Sequence, residues 1–255
     1  MNKRVATWAV AAAVLFAVPV CLQAATPVVT IERVTANTAD VANESIHWLA
    51  PAQGRWYSTK GHAAAYIKGN LFNGCLVTDG DNMTEDYPRS GNFYITEAAG
   101  KRQIHLDLLG HNIHQYLIIN DHQALRRSAK ADYNETLCGA YLGMTDQEII
   151  HLFGVPDRVA EDQGMERWQY SHPHLSLFVK GGILLAVRAY ANSGAYFGKS
   201  GLTVTAPCSV FAKTYGWTQV PQRPTAEDIQ SPAFSLGKGE FLRFGKAYTE
   251  LTIFS

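Results

Sequence analysis

Between residues 46 and 130 apolar and polar positions alternate on a short period. Ile104, Leu106 and Leu108 are interleaved with His105 and Asp107, so one side of that run is apolar and the other polar, as in a half-buried strand. Residues 56–59, 64–68, 75–78, 92–97, 103–108 and 115–119 are short β-prone runs. Turn segments of two to four residues part them: Lys68-Gly69-Asn70, Asn73-Gly74, Ala99-Gly100-Lys101, Leu109-Gly110-His111-Asn112 and Asn120-Asp121. Closely spaced strands with tight turns predict an antiparallel β-meander that hides its edges, as a barrel-like or strongly bent sheet.

After a polar connector at 131–137 the period becomes helical. Thr145 is an N-cap, Glu148 three residues on completes a capping box, and Met144 and Ile149 stand at hydrophobic-staple positions. Ile149, Leu152 and Phe153 share one face. Gly154 supplies a left-handed terminus and Pro156 forbids continuation. Runs at 167–171, 175–179 and 183–190 follow, the last two joined at Lys180-Gly181-Gly182. A three-residue loop there would put Leu175, Leu177, Val179, Ile183, Leu185 and Val187 on one side, which favours it over a two-residue turn. The order then repeats: a helix over 206–215 with Pro207 in its first turn and Gly216 at its end, then strands at 233–236, 240–244 and 248–254. The fold class expected is α+β. The meander precedes a tandem helix-plus-three-strand domain, units 141–190 and 201–255, with both helices on one face of an antiparallel sheet.

Gly143-Met144-Thr145, Glu148, Phe153, Gly154, Pro156-Asp157, Trp168, Tyr170 and the Gly-bearing hairpin together resemble the SmpA/OmlA (BamE-like) family and the wider β-lactamase-inhibitor-protein-like fold, across residues 141–190. That resemblance implies a non-catalytic protein of the bacterial envelope that presents a sheet face to other proteins. Gly54-Arg55-Trp56, Ile67-Lys68-Gly69-Asn70 and Gly91-Asn92-Phe93 resemble lipocalin-like barrels.

Composition narrows the picture. Lys3 and Arg4, the apolar stretch 10–20 and small residues at Ala24-Ala25 read as a secretory leader over 1–25, with a linker at 26–45. Cys21 lacks a small residue before it, so lipid anchoring there is the lesser reading. Without Lys3 and Arg4 the chain has 20 Lys+Arg against 22 Asp+Glu. That balance, with no cationic cluster, argues against nucleic acid. Cys75, Cys138 and Cys208 are too few and too scattered for a disulfide scaffold or a zinc site, leaving one disulfide with a spare thiol, or none.

Catalytic vocabulary is sparse. There is no nucleophile elbow, phosphate loop or dinucleotide fingerprint. His111 and His114 flank a turn and are the weak metal candidates. Asp79, Asp81, Glu85 and Asp86 crowd one loop that fails the EF-hand pattern, and Glu97 with Asp107 is an acid pair only if the fold unites them. No cofactor is expected. The leading reading is protein binding through Phe178, Arg188, Tyr190, Phe241 and Arg243, which fall opposite the helices. Exposed aromatics beside Arg have the composition of an interface hot spot. One alternative is a small apolar ligand carrier lined by Trp56, Tyr66 and Phe93, and another a metal-dependent hydrolase at His111 and His114. The expected partner is a protein in the envelope or outside the cell, with no transmembrane span.

Overall fold

The computed structural model describes residues 48–81, 83, 89–227 and 229–255. The leader with Cys21, the 26–45 linker, and residues 82 and 84–88 of the acidic loop lie outside the described residues. Eight strands come first: β1 (Gly54–Tyr57), β2 (Ala63–Lys68), β3 (Leu71–Phe72), β4 (Cys75–Gly80), β5 (Ser90–Glu97), β6 (Gly100–Leu109), β7 (Tyr116–Ile119) and β8 (Gln123–Arg126). Each pairs antiparallel with the next, and Tyr57 opposite Arg126 closes β1 onto β8, making a closed barrel. The six expected runs all fall on strands. The sequence reading missed β3, which is two residues long, and β8, which begins at a polar turn; these two complete the closure.

Alternation fills the barrel. Trp56, Ile67, Phe72, Val77, Phe93, Ile95, Ile104, Leu106, Leu117 and Leu125 form one buried cluster. Within β2, Ala65 and Ile67 turn inward, while Tyr66 is 49% exposed on the outer wall. Tyr66 therefore lines no interior. Trp56 and Phe93, both 0% exposed, are themselves the filling. Trp56 Nε1 donates to the Ala52 carbonyl at 2.8 Å, and the Arg127 guanidinium lies 3.8 Å above its ring.

The second region begins with α1 (Asp146–Phe153), then β9 (Arg158–Asp162), β10 (Met165–Tyr170), β11 (Leu175–Lys180) and β12 (Ile183–Tyr190). It continues through α2 (Cys208–Tyr215), β13 (Phe234–Gly237), β14 (Glu240–Phe244) and β15 (Tyr248–Thr252). The strands form one antiparallel seven-stranded sheet in the order β13-β14-β15-β12-β11-β10-β9. The first unit thus carries four strands rather than the three expected. In β9 the residues Arg158-Val159-Ala160-Glu161-Asp162 are mostly exposed and paired only with β10, so no apolar stripe marks the strand.

α1 forms as its caps dictate. The Glu148 amide donates to Thr145 Oγ1 and the Thr145 amide to Glu148 Oε2, a complete capping box. Gly154 ends the helix at φ 81°, ψ −170°, a positive φ outside the helical left-handed well expected. Pro207 is the N-cap of α2 rather than a first-turn residue. Ile149 of α1 and Phe211 of α2 are buried in one cluster with Leu177, Val187, Leu242 and Leu251. Trp168 and Tyr170 join it, and the Tyr170 ring lies 5.5 Å from that of Phe153.

The β11–β12 hairpin corrects another expectation. Lys180 pairs with Ile183, leaving the two-residue turn Gly181-Gly182 with φ 60° and 75°, as mirror-image hairpin turns require. A bulge restores the apolar side: Phe178 pairs with Ala186 and Val179 with Leu184, so Leu185 is the extra residue. The turn touches the barrel. A Cβ on Gly181 would come within 3.1 Å of Ile118, and the Ala124 amide donates to the Gly181 carbonyl at 3.2 Å. Tyr116, Ile118 and Ala124 of the barrel belong to the cluster that fills the sheet region. None of Cys75, Cys138 and Cys208 is disulfide-bonded.

Candidate functional site

Three groups of polar side chains meet the sequence candidates, and two of them lie where barrel and sheet touch. At the start of β14, Glu240 is fully buried. Its two carboxylate oxygens accept from the amides of Asn134 (2.8 Å) and Glu135 (3.0 Å). His114, in the turn between β6 and β7, brings Nε2 to 2.9 Å from Glu240 Oε1, a close approach without hydrogen-bond alignment. Its Nδ1 lies 2.8 Å from Tyr116 Oη. Burial pushes the Tyr116 phenol well above its ordinary range, so it is no ready nucleophile. Glu135, also buried, accepts from the amides of Thr136, Lys199 and Ser200 and from Tyr215 Oη. Buried carboxylates are retained only when so satisfied. Together they hold the 131–137 segment to both regions.

Across the strand pair from Tyr116 stands Arg126, 7% exposed. Its Nη2 donates to the Gly143 carbonyl at 2.5 Å, while Nε is buried with no partner. A Cβ on Gly143 would lie 2.4 Å from Tyr116 Oη, so only glycine lets this backbone approach. A small cleft opens here, lined by His114, Tyr116, Arg126, Ser128, Lys130 and Asp132, with room for about one water.

The second group surrounds Lys180. Its ammonium lies 2.7 Å from Asp107 and 3.0 Å from Asp121, joining the hairpin to the barrel. His105, Asp107 and Asp121 bring ligand atoms within 4.8 Å of one another, close enough to share a cation. Lys180 already supplies the positive charge there. Burial raises the Asp107 pKa, but hydrogen bonds from Lys180 and Ser90 outweigh it and hold the carboxyl below its usual range. Glu97 and Asp107 do not meet: they fall at opposite ends of the β5–β6 pair, and Glu97 binds Arg102 at 2.9 Å. His111 and His114 take different partners. His111 approaches Ser255 Oγ at 3.2 Å and sets its ring edge-on to Phe241, 6.2 Å away.

The third group is the sheet face bearing the protein-binding candidates, and the register brings all five together. One row runs Phe241, Thr252, Ala186, Phe178; the next runs Arg243, Glu250, Arg188, Ser176, Gln169, Arg158; the third pairs Tyr248 with Tyr190. Phe178 is only 5% exposed, and Phe241 meets His111, so the first row is largely covered. Arg188 binds Glu250 through Nε (2.9 Å) and Nη2 (2.7 Å) and lies 4.3 Å above the Tyr248 ring. His174 stacks on Tyr190 at 4.5 Å. Arg243 donates to the Ser255 carbonyl at 2.9 Å. Arg188, Tyr190 and Arg243 remain partly exposed.

Sequence reasoning missed Glu135, Glu240, Arg126, Lys180, Tyr248 and Glu250. Fold and site define a two-part antiparallel β protein, a filled closed barrel joined through buried polar contacts to an open sheet. No protein-family model, curated protein or solved structure matches the chain. No helix among the described residues is long and apolar enough to cross a membrane.

Proposed function

We propose that this chain is an exported, non-catalytic bacterial protein that binds another protein through the sheet face carrying Arg188, Tyr190 and Arg243. One observation carries the reading: the row in which Arg243 and Arg188 flank a single acid, Glu250, with Arg158 at the row's far end and Tyr190 and His174 stacked alongside. Arg188 is oriented in advance by two hydrogen bonds and an aromatic plane, which lowers the ordering cost of binding. The excess of guanidinium suits a partner surface with carboxylates and carbonyl acceptors.

The finer fold reading supports this. Ile149 and Phe211 share a cluster with alternate sheet residues. We read that as a tandem unit with both helices on one side, in keeping with the SmpA/OmlA-like resemblance and an envelope location. With Trp56 and Phe93 filling the barrel and Tyr66 outside it, the ligand-carrier reading loses its lining.

Arg188→Glu is a poor probe, because it would set two carboxylates together at Glu250, 4% exposed. Tyr190→Ala and Arg243→Gln leave Glu250 beside Arg188 with no added carboxylate. Each is expected to weaken partner binding by at least about tenfold, the range of interface hot spots, while leaving the unfolding midpoint close to that of the parent. Partner binding at parental affinity in both variants contradicts the proposal.

A further inference from the structure

The two ends of the open sheet are finished differently. At β13 a bulge interrupts the pairing between Ser235 and Gly237, the Ser235 carbonyl accepts from Trp217 Nε1 at 2.7 Å, and the Leu236 carbonyl accepts from Asn134 Nδ2 at 2.6 Å. At β9 nothing comparable occurs. That strand pairs with β10 in unbroken register and contains neither Pro nor Lys. Outside that ladder its main chain makes no hydrogen bond among the described residues. Native edges are blunted by bulges, Pro, Lys or cover, because a bare edge is a template for another strand.

The hairpin register says which groups are bare. Asp162 and Met165 flank the two-residue turn Gln163-Gly164, whose φ values are 52° and 72°, so they form a hydrogen-bonded pair. Ala160 and Arg158 follow on the same alternation. Val159 and Glu161 therefore aim N–H and C=O away from β10, at the open edge, and both residues are exposed.

We infer that the β9 edge pairs antiparallel with β9 of a second copy of this chain, centred on Ala160. The strand is complementary to itself in that register. Val159 stands opposite Glu161 of the second copy, and the two such pairs engage the bare N–H and C=O groups of both residues. Arg158 stands opposite Asp162 of the second copy, in the non-hydrogen-bonded pairs where side chains come closest. Arg158 is exposed, and its guanidinium has no partner among the described residues. Asp162 binds Arg167 at 3.1 Å and is partly exposed, which leaves lone pairs for a second guanidinium. Val159, 52% exposed, meets its counterpart diagonally across the axis on the other face. Charge also selects this register. Centring on Val159 would set Asp157 against Glu161 of the second copy, and centring on Glu161 would set the two Glu161 side chains against each other. The product is one sheet continuous across a two-fold axis. It leaves the face of Arg188, Tyr190 and Arg243 uncovered, and it does not depend on what that face binds.

Sedimentation velocity of the full chain over a wide concentration range tests the pairing. A five-residue edge buries little surface, so half-association is expected at roughly 10–100 µM. Val159→Pro removes an outward N–H while sparing the β10 ladder, and is expected to raise the dissociation constant at least about tenfold. Arg158→Asp and Asp162→Arg should each do the same alone, because like charges then face each other. An equimolar mixture of those two variants should associate again at near parental strength. In the parent, exchange of the Val159 and Glu161 amides should slow as concentration rises, and this reading decides should a variant fail to fold. A parent that stays monomeric at the highest concentration overturns the inference. So does a dimer that persists in Val159→Pro, a mixture of folded charge variants that stays monomeric, or a dimer that Tyr190→Ala dissolves.

Discussion

The barrel and the open sheet are built from the same kind of antiparallel strand, yet they dispose of their surfaces differently. In the barrel every strand edge is paired, because β8 returns to β1, and the inward residues meet one another in a single cluster. Its outer wall bears isolated aromatics such as Tyr66 and Tyr94. The sheet has two terminal strands, β13 and β9, and two faces. One face contributes to the cluster holding Ile149 and Phe211, while the other carries a half-buried row of Arg, Glu and aromatic residues. Closure spends the apolar surface on the domain's own stability; an open sheet leaves a face for something else to meet. Recognition is therefore sought on the sheet, and rigidity in the barrel.

Substitutions can break that contrast, beginning with the largest effect. Trp56→Ala removes a fully buried ring from the barrel centre and is expected to cost about 3–5 kcal/mol in urea unfolding. A loss under about 1 kcal/mol would mean the interior is not close-packed. Glu240→Ala comes next. It strips the acceptor from the Asn134 and Glu135 amides and from the neighbourhood of His114, at a cost of about 3 kcal/mol. Because that carboxylate joins the two regions, barrel and sheet fluorescence should then melt at separate midpoints, where the parent shows one.

Lys180→Met is expected to cost about 1–2 kcal/mol, as it unpairs Asp107 and Asp121. Its pH dependence sharpens the assignment. Asp107 is held below its ordinary value of 3.8, so its contribution is present above that pH and lost as pH falls through the lower folded value. The same two carboxylates raise Lys180 above its ordinary 10.5 against the opposing effect of burial, so its contribution is full below 10.5 and lost at still higher pH. Parent and variant should thus differ most between these limits and converge in acid. Tyr66→Ala, on the outer wall, should change stability by no more than about 0.5 kcal/mol.

Local chemistry made some of this legible in the sequence. Thr145 and Glu148 announce α1 because a capping box lies within four consecutive residues, and Asn73-Gly74 and Asn120-Asp121 mark turns, where all four residues take positive φ. What depended on distant partners was not legible. Glu240 meets Asn134 across 106 residues, and no spacing rule links them. His114 reads in the sequence as a turn residue and weak metal candidate, and only the fold encloses it between Glu240 and Tyr116. The two-residue hairpin was set aside because strict alternation forbids it, and a single bulge at Leu185 removes the objection. The edge strand β9 has no stripe to read, since it pairs on one side only.

The sheet face is the centre of the account, and site-directed photocrosslinking addresses it most directly. A photoreactive residue placed at Tyr190 in the full chain, expressed in its own host, should yield one discrete protein adduct, and Arg243→Gln should abolish it. The same group at Lys213, exposed on α2, should yield none. A strong adduct from Lys213 with none from Tyr190 would contradict the assignment.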